Sequence, residues 1–142
     1  PDPYNLQRFA DAQAGVYDDA VAELRRGWKE THWMWFVFPQ LKALGRSSTA
    51  EFFGIGSLGE ARAYLTHPVL GARLRECAGL VSEAGGTHPI DWILGPIDAV
   101  KLRSSMTLFR AATDDNAAFQ AVLDRYYGGD PDPLTLDLLS GA

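Results

Sequence analysis

Apolar residues recur at helical spacing along most of the chain. Leu6, Phe9 and Ala10 share one face after Asn5, a residue suited to cap a helix start, and Gly15 marks a stop. Tyr17, Val21, Leu24 and Trp28 follow at steps of four, three and four, which predicts a second helix with these four facing inward and a frayed end at Gly27. The clearest periodicity runs from Pro68 to about Ala84, with Leu70, Leu74, Cys77 and Val81 on one face and Gly85-Gly86 as terminator. Another run from Ile97 to Ala112 carries Val100, Leu102, Met106, Leu108 and Phe109. Asn116 is placed to cap a helix bearing Phe119, Val122, Leu123 and Tyr126, halted by Gly128-Gly129. Asp132-Pro133 opens a last turn that ends in Leu138 and Leu139.

Shorter segments fill the gaps. Thr31 to Phe38 is apolar on nearly all sides, so a buried strand and a helix both satisfy the pattern. Thr31 as a cap, and the lack of a nearby strand to pair with, favour helix. Gly45 to Thr49 reads as a loop with a cap, leading into a turn around Glu51, Phe52 and Phe53. Ser57 and Glu60 have capping-box spacing ahead of Leu58, Ala61 and Leu65. Thr87, His88 and Pro89 start a short segment containing Trp92. The sum is a mainly α, compact multihelical single domain over residues 1–142, with about eight helices and no substantial sheet.

Composition narrows this little. With 46% hydrophobic and 22% charged residues, the chain is ordinary for one globular core. Its longest apolar run, Trp33 to Phe38, is closed by Pro39 and falls far short of the ~20 residues of a membrane span. A lone cysteine, Cys77, forbids an intramolecular disulfide, and with no leader-like start the expectation is a cytoplasmic protein, monomeric by default. A net charge of −5 argues against binding to a nucleic-acid backbone. The charge is uneven, however. Arg25, Arg26, Lys29, Lys42 and Arg46 face only Glu30 in that stretch, while six aspartates against Arg125 follow from Asp114 onward, which leaves room for a local cationic site.

Candidate chemistry is sparse. Gly54-Ile55-Gly56-Ser57-Leu58-Gly59 matches the spacing of a dinucleotide fingerprint, but no strand precedes it and no acidic residue ends a second strand, so a loop followed by a capping box accounts for it. His32, His67 and His88 are scattered without metal-ligand spacing, and no metal or cofactor is expected. His67 and His88 each lie in Thr-His-Pro, where capping and turn formation explain them. His32, beside Trp33 and near Trp35, is either a core histidine or the one credible general acid or base. Cys77, mid-helix on an apolar face, behaves as a small hydrophobe.

Two stretches carry anion-binding chemistry. Arg46-Ser47-Ser48-Thr49 offers a guanidinium, hydroxyls and the free N–H groups of a helix start, though serines there also serve as plain caps. Lys101, Arg103, Ser104 and Ser105 lie on one helix, where Lys101, Ser104, Ser105 and Leu108 mix polar with apolar groups on a face, though an Asp98 to Lys101 helix pair with exposed serines fits the same residues. Together with Trp33 or Trp35 as a stacking ring, and with Gln40, these residues predict a pocket for an anionic, aromatic small molecule.

The segments Asp2 to Phe9, His32 to Gln40, Gly45 to Ser48, Ala63 to Gly71, Arg73 to Cys77 and Lys101 to Phe109, taken as a set, resemble domain-of-unknown-function family 1810 over nearly the whole chain. Members of that bacterial family are sometimes labelled calpastatin-like. The resemblance implies a small multihelical domain without an established activity, and it departs locally at Thr87 to Pro96. A more distant similarity, in the order of a His-aromatic helix, an Ala-rich helix, a His-Pro-started helix and a late Met-Leu helix, is to the NADAR superfamily, which handles ADP-ribose derivatives. Glu30 is the carboxylate nearest His32 where that superfamily has an adjacent glutamate, so its hydrolytic chemistry does not transfer. The leading expectation is therefore a binding domain for an anionic, nucleotide-like molecule related to ADP-ribose, with or without catalysis. The alternative is a non-enzymatic protein–protein interaction module.

Overall fold

In the computed structural model, residues 1–84 and 88–141 are described. Among them the chain forms ten α-helices and one 3-10 turn: α1 Gln7–Gln13, α2 Tyr17–Arg25, α3 Met34–Val37, α4 Ser48–Phe53, α5 Leu58–Thr66, α6 Leu70–Glu83, α7 Ile90–Leu94, α8 Pro96–Ala112, α9 Ala117–Tyr127 and α10 Pro133–Leu139, with the 3-10 turn at Lys42–Leu44. That is ten helices against an expectation of about eight, because several of the short turns close as separate helices. No strand forms among the described residues; a single parallel bridge joins Leu41 and Ile55.

The centre of the molecule is α8, which packs against α5, α7, α9 and α10. It buries Ala99, Leu102, Ser104, Ser105, Met106, Thr107, Leu108, Phe109 and Ala112, so it is enclosed on most sides along its C-terminal two thirds. Around it Trp33, Tyr64, Phe9, Phe38, Phe109 and Phe119 are the largest fully buried side chains. Helix α6 lays Leu70, Leu74, Cys77 and Val81 onto α2, α5 and α9, as the four-three-four spacing requires. Its predicted Gly85-Gly86 stop, and Thr87 of the following segment, lie outside the described residues.

Several local expectations are corrected. Asn5 does not cap α1: it takes a left-handed φ of 53°, and the Asp2 carboxylate accepts instead from the amides of Leu6 at 2.8 Å and Gln7 at 2.9 Å. Helix α2 ends at Arg25, so Trp28 lies beyond it, exposed and edge-on to Trp92 with ring centroids 4.8 Å apart. Thr31 caps nothing, since its hydroxyl donates to Glu23, and the Thr31 to Phe38 run contains a single helical turn, Met34–Val37, started at Trp33. The Asn116 side chain turns back to donate to the Arg110 carbonyl and makes no cap hydrogen bond to α9.

Other signals hold. Ser47, Ser57 and Asp132 each accept from the amide three residues on, Ala50, Glu60 and Thr135. Glu60 Oε1 accepts from the Gly56 amide, one residue upstream of an ideal capping box. His67 Nδ1 accepts from the amides of Val69 and Leu70 and so opens α6. The glycine-rich stretch has a packing reason: a Cβ on Gly54 would lie 2.4 Å from the Lys42 Cα, in the bridge where Lys42 donates to Ile55 O and Ile55 to Gln40 O. That bridge ties the Gln40–Arg46 segment to the start of α5.

Candidate functional site

Helix α8 presents two unlike faces. Ile97, Val100, Lys101 and Ser104 fall at steps of three, one and three, so they share one side of its first half. That side meets α10 across from the turn that follows α3, and the three segments enclose an open cavity of ≈ 520 Å³. Its wall is lined by Trp35, Gln40, Leu44, Gly45 and Arg46 on one flank, by Pro96, Ile97, Val100, Lys101 and Ser104 from α8, and by Asp132 and Leu134 from the start of α10. The volume lies within the roughly 300–1,000 Å³ usual for small-molecule sites, and the chemistry is typical of them: apolar walls with a few convergent polar groups.

Of the residues singled out in the sequence, Trp35, Gln40, Arg46, Lys101 and Ser104 meet here. The Lys101 ammonium sits 3.5 Å from the centroid of the Trp35 ring and 3.5 Å from Asp98 Oδ1. Asp98 also pairs with Lys29 at 3.0 Å, so two ammonium groups share one carboxylate. Arg46 is exposed and forms no ion pair or side-chain hydrogen bond among the described residues.

The remaining predicted residues lie elsewhere. His32 is exposed and outside the cavity wall. Trp33 is buried, and its indole N–H donates to Glu23 at 3.0 Å, so its ring is part of the core and not a stacking surface. Ser47 and Ser48 are exposed at the start of α4, where Ser47 serves as cap. Arg103 points the other way around α8: its Nε donates to Asp130 O at 3.1 Å and its guanidinium lies against the Tyr127 ring. Ser105 faces the core, fully buried, with no hydrogen-bond partner among the described residues.

Asp132 is a polar wall residue that the sequence marks only as the opening of the last turn. Its Oδ2 accepts from the Thr135 amide at 3.1 Å, from the Thr135 hydroxyl, and from the Ser104 hydroxyl at 3.2 Å. The link to Ser104 joins residues 28 apart in sequence, and nothing in the local pattern signals it. The apolar rim of Ile97, Val100 and Leu134 was equally hidden; the i, i+3, i+4, i+7 spacing of the α8 residues could have disclosed its larger part.

Burial pushes the Cys77 thiol up to about 12, against the opposing hydrogen bond to the Tyr17 hydroxyl 3.7 Å away, so it is no nucleophile. Among the described residues no three His, Cys, Asp or Glu side chains gather as metal ligands, and no helix is long and apolar enough to cross a membrane.

The family model described as a protein of unknown function (DUF1810) matches residues 3–139. The crystal structure of the conserved hypothetical protein Rv1873 from Mycobacterium tuberculosis superposes with a TM-score of 0.96 at 56% identity, covering 98% of this chain and 99% of that one. A comparison with curated proteins gives no match. These matches carry no link to the NADAR superfamily.

Proposed function

We propose that this chain, which belongs to the DUF1810 family of proteins of unknown function, binds a small aromatic carboxylate in the cavity between α8, α10 and the turn after α3. One observation carries the reading: Trp35, Gln40, Arg46, Lys101 and Ser104, drawn from distant parts of the sequence, converge on a single apolar-walled cavity. Arg46, without an internal partner, is the group available to an anion, and Trp35, with Lys101 against it, is the ring available for stacking.

Charge balance narrows the ligand. Asp98 is shared by Lys29 and Lys101, and the Asp132 carboxylate stands on the cavity wall, so with Arg46 these groups leave a single net positive charge. A pyrophosphate such as that of ADP-ribose would set two negative charges against that single net positive charge, whereas one carboxylate matches it. The reading is one of binding. It gives His32 no chemical step, since that imidazole is not part of the cavity wall.

A thermal-shift and calorimetric panel of phenyl and indolyl carboxylates, with AMP, NAD and ADP-ribose beside them, tests this. A ligand at 100 times its dissociation constant raises stability by about 2.7 kcal/mol. Arg46→Ala should weaken binding at least tenfold and leave the melting temperature within about 2 °C, because a surface change of this kind costs under about 0.5 kcal/mol. A flat response across the panel, or undiminished binding by the variant, would overturn it.

The second reading, an interaction module, is favoured by one feature: Ile97, Val100 and Leu134 at the cavity rim are 72%, 64% and 63% exposed. It predicts that Val100→Glu abolishes a concentration-dependent association seen in sedimentation. Sedimentation as a monomer up to millimolar concentration removes self-association as its basis.

A further inference from the structure

Asp132 poses a problem that its role as a cap does not solve. It lies at the start of α10 and is 9% exposed, and it lines the cavity. Three donors reach its Oδ2, from the Thr135 amide, the Thr135 hydroxyl and the Ser104 hydroxyl. All three are neutral. The Ser104 hydroxyl also lies 3.2 Å from the Val100 carbonyl, so its one proton is shared between two acceptors. No hydrogen bond among the described residues falls on Oδ1, and none of the ion pairs there includes Asp132. An asparagine would cap the helix as well. What the carboxylate adds is a negative charge on the wall of a largely apolar cavity, with Oδ1 left without a hydrogen-bond partner among the described residues and open to a cationic donor.

The same cavity carries the complementary imbalance at Arg46, an exposed guanidinium with no ion-pair partner. Arg46 and Asp132, opposite charges with no ion pair among the described residues, thus line one cavity of ≈ 520 Å³ together with the apolar Leu44, Val100 and Leu134.

We infer that the occupant of this cavity is a zwitterion, an aromatic molecule bearing a protonated amine that donates to Asp132 and a carboxylate that accepts from Arg46. The inference rests on the cavity being a binding site and adds the second recognition element, which sets apart amino-acid-like ligands from simple aromatic acids. Charge-assisted hydrogen bonds at both ends fix the orientation, and the apolar walls take the ring. Ser104 holds the Asp132 carboxylate in place and is a positioning residue.

The test uses matched ligands that differ by one group: tryptophan, indole-3-propionate and tryptamine, with phenylalanine, 3-phenylpropionate and phenethylamine as the smaller series, each titrated calorimetrically into the intact protein. At least one zwitterion should bind tenfold or more tightly than both of its singly charged analogues. Asp132→Asn keeps the cap and should bring the zwitterion to the level of the matching propionate, with the unfolding midpoint recorded as a control on the fold. Equal or tighter binding of the propionates in the unaltered protein, a comparison that needs no variant, overturns the inference while leaving the binding site intact. A preference for the zwitterion that survives Asp132→Asn also overturns it. No binding by any of the six at millimolar concentration overturns the parent reading and this one with it.

Discussion

Replacing Glu23 by glutamine removes one charge and almost no volume from the point where the chain leaves α2. The Glu23 carboxylate is buried, and it accepts from the Glu30 amide at 2.7 Å, the Thr31 amide at 2.9 Å, the Trp33 indole at 3.0 Å and the Thr31 hydroxyl. Burial alone would push this carboxyl up. The four donors outweigh it and hold the group down to about 2, against 4.5 in the free side chain. At about 1.4 kcal/mol per unit, that difference stabilises the fold by about 3 kcal/mol at neutral pH. Glutamine can still accept from the three N–H donors, and the Thr31 hydroxyl can rotate to accept from its amide, so the loss is that of charge-assisted over neutral hydrogen bonding, about 2–3 kcal/mol.

Because the folded group titrates below the unfolded one, its contribution is complete above about pH 5 and fades as the pH falls from 4.5 towards 2. Urea unfolding followed by far-UV circular dichroism at pH 7 and pH 3 reads this directly. Glu23→Gln should be less stable at pH 7 by the stated amount, with a melting temperature lower by about 6–12 °C. At pH 3 under about half of the deficit should remain. A variant within about 0.5 kcal/mol of the unaltered protein at pH 7, or a deficit equal at both pH values, would refute the claim that the four donors hold an ionised carboxylate there.

Three further outcomes follow from packing. In α6, a Cβ on Gly71 would stand 2.0 Å from the Leu65 carbonyl oxygen while one on Gly79 meets nothing within 4 Å, so Gly71→Ala should cost about 3 kcal/mol in chemical denaturation and Gly79→Ala should stabilise by about 0.5–1 kcal/mol. Ser105→Ala removes a buried hydroxyl without a hydrogen-bond partner among the described residues and should be neutral or stabilising by up to about 1 kcal/mol; a clear loss of stability would mean that the hydroxyl is satisfied in solution. Arg8 binds the carbonyls of Phe52, Tyr4, Asn5 and Gly54 as well as Glu60 at 2.7 Å, so Arg8→Met should cost about 3–5 kcal/mol, whereas Arg26→Met, which breaks only the exposed pair with Glu30, should change the midpoint by less than about 0.5 kcal/mol.

By itself the sequence determined the fold class, the central turns of the main helices and some of the caps, because these depend on neighbours within one or two turns. The four-three-four spacing in α6 reports its buried face, and Ser47, Ser57 and Asp132 act on amides three residues away. Local signals failed where a distant group competed. Thr31 looks like a cap, but the buried Glu23 claims both its amide and its hydroxyl, and Trp33 is drawn into the core by the same carboxylate. Asn5 yields to Asp2 because a carboxylate satisfies two free amides at once.

The site divides the same way. Trp35, Gln40, Arg46, Lys101 and Ser104 were visible as residue types with suitable chemistry, yet only the tertiary structure set them on one cavity and sent His32, Trp33, Ser47, Ser48, Arg103 and Ser105 elsewhere. Whether Ser104 or Arg103 faces the cavity turns on the rotation of α8 about its axis, which is decided by what α5, α7, α9 and α10 bury against it. Asp132 shows the limit most clearly: its cap could be read from Pro133 and Thr135, but its place on the cavity wall depends on α10 returning to pack on α8, a contact between residues far apart in the chain.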